Sequence, residues 1–517
     1  MQLNFSDTRH PEFIGKGDNH LPVLIKSLAK LIATIENDYV YDTIKLDSFQ
    51  KEVMATLIIE FAEDLHNEIG LWSSIEYYNV QFFKTPLPLF IKDKSELTES
   101  PFDKNRIKYF IYTNLIEFFP DLDLSPQHKD LEFFSNSVSN FIKMSFTGVP
   151  MDSGIKKFLS QSNNFGWDFK RKLVWTGLNS YLFRYSFYRY ANEHSKGQLD
   201  IHLVDDFICQ ENTIWSGLGI IDILAKTLKL PEKIVANVST WYERHQSYYK
   251  VISSGNNYIE FENMINNALY KVRETQPDIF KTGHLIFGGL VPYGDYWYWS
   301  GAQKDYGIVD EKTIHQLKID FVKKSTRIVY RYDKELLKKA NEDIKIQYSD
   351  FCKYFGNDLI VFKDGISLAA ALQKKEKQKF ESLPKKELEE IMKTHGLEAP
   401  YPKISFPDHL LNSEGVALYF NPDEGMEIMP YFNDVVNGLK KMGNHLTEDE
   451  SDAIRNFIMS ESISPNFVYR IIKDYGEQSI LESFLIRENS YAIVYLLHKY
   501  KGHFYRNRYP QISYNIE

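Results

Sequence analysis

The sequence predicts an α+β protein, predominantly α-helical and multidomain, with an inserted small SH3- or OB-like β-barrel and a helical C-terminal unit. Three observations carry that prediction. The chain has 517 residues, more than the roughly 250–300 that one hydrophobic core supports. Through most of its length apolar residues recur at three- and four-residue spacing, which puts one apolar stripe on a helix. Between Tyr248 and Gly301 the rhythm changes to a period of two, the spacing of a pleated strand with one buried face. Hydrophobic residues make up 43% and charged residues 25%, enough apolar area to offset the entropy of ordering a globular chain. The expected regions are 1–245, mainly helical; 246–308, the β-module; 309–400, helical with a charged linker; and 401–517, a hairpin and the C-terminal helices.

After about twenty polar residues, Leu46, Phe49, Val53, Leu57 and Phe61 mark the first helix. Pro86, Pro88, Pro101 and Pro120 then punctuate a looser stretch. Helices are predicted over 170–194 and 214–230, and Pro231 suits the first turn of another that runs to about His245. The β-module reads as five strands, 249–253, 258–261, 268–273, 284–291 and 296–300. Ser254-Gly255-Asn256-Asn257 serves as a hairpin turn, and Gly288-Gly289 is where a strand bends or another group approaches closely. The mixed charges of 373–393 predict a solvated helix or linker. Residues 416–420 and 426–429 read as a second hairpin. Thr447 with Glu450 three residues on has the spacing of a capping box. Ser464-Pro465 opens a further helix and Gly476 closes it, with two short helices to follow. No fixed-period repeat is present.

Composition narrows the function classes. A formal charge of −9 does not fit a protein coated for nucleic acid, although it leaves room for a local basic patch. Cys209 and Cys352 are the two cysteines and form no CxxC pair, so a reducing, cytoplasmic setting is expected, without a disulfide framework or structural zinc. No apolar run reaches the roughly 18 residues of a membrane span, and no signal peptide is expected at the N-terminus. Gly15-Lys16-Gly17 and Gly217-Leu218-Gly219 lack the spacing that cradles phosphate. Nucleophile-elbow, HExxH and kinase motifs are missing from the sequence. No cofactor is called for.

Four candidate sites remain. Trp297 and Trp299 share one face of a strand, with Tyr296 and Tyr298 on the other. One face must be core, which leaves at most one pair to stack on bases, and Lys281 and Lys304 are the neighbouring cations in sequence. In the C-terminal run, Lys499, Lys501, His503, Arg506 and Arg508 interleave with Tyr500, Phe504, Tyr505 and Tyr509, a pattern that neutralises phosphates and stacks on bases. A tail docking its rings on its own domain explains that pattern as well. Asp200, His202, Asp205 and Asp206 gather carboxylates and an imidazole within one short segment, a set that can hold a divalent metal or supply a general base; helix capping is the plainer use. Glu63 and His66 lie three apart on a helix, where the plain use is a polar face.

The leading expectation is therefore a non-enzymatic cytoplasmic interaction protein. It would bind a protein or nucleic-acid partner through the β-module and the tail, at Trp297, Trp299, Lys501, Arg506 and Arg508. A metal-dependent hydrolase centred on Asp200, His202, Asp205 and Asp206 is the first alternative. A structural subunit of a larger complex, anchored by its abundant Tyr and Phe, is the second.

Overall fold

Strict alternation of inward and outward side chains starts at His245, and there the chain passes from helix to strand. In the computed structural model, which describes residues 5–38, 44–119, 124–324, 334–386, 388–389, 392, 403–487 and 491–506, helix accounts for 56% and strand for 13%. The predicted predominantly helical α+β class is the one observed. The described residues separate into two compact units, one up to residue 324 and one from residue 334.

Five strands lie in the first unit: β1 (His245–Ser254), β2 (Tyr258–Asn263), β3 (Leu269–Arg273), β4 (Leu285–Tyr293) and β5 (Tyr296–Asp305). They pair in the order β1-β2-β3-β5-β4 and close into a barrel through β1 and β4. Every pairing is antiparallel except β3 with β5, which run parallel at Val272 and Trp297. Tyr249, Val251, Ile259, Phe261, Val272 and Leu290 fill the interior. Gly288 has a specific reason. The Trp299 ring lies over it so closely that a Cβ there would come within 2.7 Å of the indole. The β4–β5 register slips between Phe287 and Gly289, a bulge that bends the strand where the sequence predicts a bend. The other side of the β4–β5 hairpin enters the helical core, where Val291, Tyr293 and Tyr298 share one cluster with Phe169 and Trp241.

The helices around this module depart from the predicted pattern in informative ways. The predicted 170–194 helix is two, Gly166–Asn179 and Arg184–Ser195, because Ser180 adopts an extended conformation that ends the first. Pro231 stands at the N-cap, one residue before a helix that covers only Glu232–Val238. The Ser48–Asn67 helix is not amphipathic in the predicted sense. Glu60, Glu63 and Asp64 are buried along with its apolar residues, and charge partners make that tolerable. Arg184 pairs with Glu60 at 2.8 Å and Arg9 with Glu63 at 2.7 Å. Asp64 accepts from the backbone amides of Gly70 and Trp72 and from the Tyr181 hydroxyl. The Glu63–His66 pair is split, since His66 Nε2 meets the carbonyl oxygen of Val149.

In the second unit β6 (Leu359–Asp364), β7 (Glu414–Asn421) and β8 (Gly425–Met429) form an antiparallel sheet in that order. The hairpin of β7 and β8 follows the sequence reading; β6 is an additional edge strand. Phe351, Leu368, Val416 and Phe420 make one core. Phe432, Phe457 and Phe467 pack on one another with Tyr419 stacked on Phe467 at 4.6 Å. The Thr447–Glu450 capping box and the Ser464 cap form as predicted. Among the described residues no helix is long and apolar enough to cross a membrane.

Candidate functional site

Strand alternation sends Tyr258 outward on β2, Lys271 and Arg273 outward on β3, and Tyr296 outward on β5. The β2–β3 register sets Tyr258 opposite Arg273, and the parallel β3–β5 contact brings Tyr296 beside both cations. A ladder results. The Lys271 ammonium sits 4.0 Å from the Tyr258 ring centre and 5.3 Å from that of Tyr296. The Arg273 guanidinium lies 5.2 Å from Tyr296 and 5.6 Å from Phe165, and Phe165 stacks on Trp167 at 4.8 Å. Lys271 and Trp167 are exposed and the rungs between them are half-buried. Glu260, across from Lys271 on β2, takes the Ser253 hydroxyl at 2.7 Å.

Arg273 is also on the wall of a cleft of about 370 Å³ between the barrel and the Gly166–Asn179 helix. Trp167, Tyr298 and Trp299 supply its aromatic surface and Lys170 its second cation; Trp241 beside them is fully buried. Gly166 lets the helix start lie against the barrel, because a Cβ there would be 2.7 Å from the Tyr298 ring. Burial pushes the Tyr298 phenol above its ordinary range, which keeps it neutral. Lys170 is held at 2.6 Å by Asp205 and at 3.0 Å by the Ser300 hydroxyl.

The acidic cluster is divided among separate tasks. Asp200 caps its helix by accepting from the Leu203 amide at 2.8 Å. Asp205, 98% removed from solvent by its 2% side-chain exposure, joins Lys170, Ser300 and Arg244. Asp206 pairs with Arg244 at the surface, and His202 is exposed. Among the described residues no group of three or more His, Cys, Asp or Glu side chains is arranged to hold a metal ion. The capping use foreseen for Asp200 is the one observed, and Asp205 is an interhelix-to-barrel clamp.

Trp297 and Trp299 turn toward the barrel core. Trp297 contacts Tyr270 at 4.7 Å and His245 at 4.8 Å; Trp299 contacts Phe261 at 5.3 Å. His245 hydrogen-bonds the Tyr270 hydroxyl at 2.8 Å, and burial lowers its pKa to about 4. Tyr298 faces the helical core, so both faces of β5 are used in packing, and half-buried Tyr296 packs against the same core. Lys281 is exposed, while Lys304 lies 4.7 Å from the Tyr306 ring.

In the tail, Lys501 is not at the surface where a contact residue is expected. Lys501 is fully buried, donates to the Ser460 carbonyl at 2.6 Å, and is driven by desolvation down to a pKa of about 7. It faces inward because the Ala492–Lys501 helix packs its last turn against its own unit. His498 stacks on Tyr505 at 4.1 Å and Tyr500 contacts Phe484 at 5.8 Å, so these two tail rings pack within their own unit. Arg506 is half-buried, and Arg508 lies outside the described residues.

No protein-family model, curated protein or solved structure matches this chain. The site is therefore defined by its geometry alone.

Proposed function

We propose that this chain is a non-enzymatic cytoplasmic interaction protein of multidomain build, whose β-module binds single-stranded nucleic acid along the outer face of β2 and β3. The observation that carries the reading is the ladder Tyr258–Lys271–Tyr296–Arg273–Phe165. Rings alternating with cations 4.0–5.6 Å away match the two things a single strand offers, bases that stack on π-faces and phosphates that cations neutralise. The strand order and its parallel β3–β5 contact favour an OB-like over an SH3-like barrel, and in that architecture the faces of strands two and three are the usual oligonucleotide platform. Fold analogy alone would not suffice; the side chains on this face support it independently. The chain as a whole carries a formal charge of −9, so the attraction to phosphate is local to these cations.

The test is fluorescence anisotropy of the full chain with a labelled mixed-sequence single strand and the matching duplex. Single-strand binding that Lys271→Ala/Arg273→Ala weakens, and that Lys281→Ala leaves unchanged, is the expected result. Equal affinity for wild type and double variant would refute the assignment of this face.

A further inference from the structure

Where the ladder ends, the surface turns inward, and Arg273 belongs to both places: it is the last cationic rung and part of the cleft wall. Resting on the nucleic-acid reading of the outer face, we infer that the cleft between the barrel and the Gly166–Asn179 helix receives one nucleotide unit, a planar base with its phosphate. Volume limits the occupant. About 370 Å³ is near the lower end of the roughly 300–1,000 Å³ range of ligand clefts, which suits a single nucleotide and not a stacked pair. Aromatic surface limits its shape. Trp167 and Tyr298 meet edge to face at 5.4 Å, and the Lys170 ammonium lies 6.0 Å from the ring of the fully buried Trp241.

Charge limits its chemistry. Lys170 and Arg273 are the cations of the cleft, and Lys170 keeps a fixed position because Asp205 and Ser300 hold it from behind. Glu274 and Gln303 also line the space. The Glu274 carboxylate is turned into its own loop, accepting from the Thr275 amide at 2.8 Å, and the Gln303 amide donates to the Gly301 carbonyl at 2.7 Å. Both keep further acceptor capacity for the exocyclic groups of a base. Such a unit has two sources, the end of a strand lying on the ladder or a free nucleoside monophosphate.

The experiment has two arms on the full chain. In the first, linear and circular single strands of one sequence compete for the protein; a strand end in the cleft predicts that the linear form binds about tenfold tighter, the gain from one added stacked base. In the second, nucleoside 5′-monophosphates are titrated while tryptophan fluorescence is read. Thr275→Trp and, separately, Gln303→Trp fill the cleft mouth from exposed positions, so either should abolish the linear preference or the quenching while ladder binding persists. A linear preference lost in both variants supports the strand-end source; quenching lost in both supports the free nucleotide. Equal affinity of linear and circular strands with no quenching overturns the cleft and leaves the ladder standing. Quenching by the monophosphate without any oligonucleotide binding keeps the cleft and removes the ladder. A preference or quenching that survives both substitutions also overturns the cleft.

Discussion

Asp205→Ala is expected to destabilise the first unit by about 3–5 kcal/mol, the usual cost of removing one partner from a buried charge cluster. The magnitude follows from its surroundings. The carboxylate lies 2.6 Å from the Lys170 ammonium and 3.4 Å from the Arg244 guanidinium, with side-chain exposures of 2%, 19% and 13%. At an effective dielectric of about 20 the gross attractions are about 6 and about 5 kcal/mol. Desolvation of the three groups takes back much of that while the cluster is intact, but Lys170, left near the barrel without its acid, keeps the desolvation cost and loses the attraction, while Arg244 retains only the exposed Asp206. Asp206, with 40% side-chain exposure, should cost less than about 1 kcal/mol when changed to Ala. All seven tryptophans precede residue 300, so urea unfolding followed by tryptophan fluorescence reports the first unit selectively. Elemental analysis of the same preparations completes the assay. An Asp205→Ala unfolding free energy within about 0.5 kcal/mol of wild type, or stoichiometric metal that this substitution removes, would refute the clamp and favour a metal centre.

Three further outcomes follow from the buried ionisable groups. His245 titrates near 4 in the barrel against an ordinary 6.5. The unfolded chain therefore takes up the proton first, stability falls as pH drops from 6.5 to about 4, and His245→Gln should flatten that slope in fluorescence-detected unfolding. Lys172, buried and donating to the Gln161 carbonyl at 2.5 Å, titrates near 8 against 10.5. Between those values the unfolded chain holds the extra proton, so wild type should gain stability relative to Lys172→Met as pH rises from about 8. Lys501→Met should leave oligonucleotide affinity unchanged, since the ammonium is fully buried; a weakening measured by anisotropy would return the tail to the binding surface.

The barrel strands are legible in the sequence because alternation is a local signal, and Ser254–Asn257 and Gly294-Asp295 mark their turns. Barrel closure is not local. The single β3–β5 contact joins Val272 to Trp297, and without it Lys271 and Arg273 read as ordinary strand cations while Lys281 and Lys304 look nearest to the aromatic run. Phe165 and Trp167 reach the site from a helix more than ninety residues earlier, and only the turn of that helix, not any motif, signals them. Within the acidic cluster, neighbours Asp205 and Asp206 have opposite burial, which composition cannot distinguish. Glu63, read as part of a polar face, is buried for a related reason: its carboxylate looks solvated until distant Arg9 is placed against it, as Arg184 and Tyr181 are against Glu60 and Asp64. Lys501 shows the same effect at a helix end, where a basic residue in an aromatic run is buried by its own unit.

The most direct measurement is the salt dependence of single-strand affinity for wild type and Lys271→Ala/Arg273→Ala. Each neutralised phosphate contributes a slope of about −0.7 in log K against log salt, so two ladder cations predict slopes that differ by about 1.4 and an affinity loss of about fifteenfold near physiological salt. Parallel lines for the two proteins, or binding that ignores salt, would contradict the claim that this face of the barrel holds the strand.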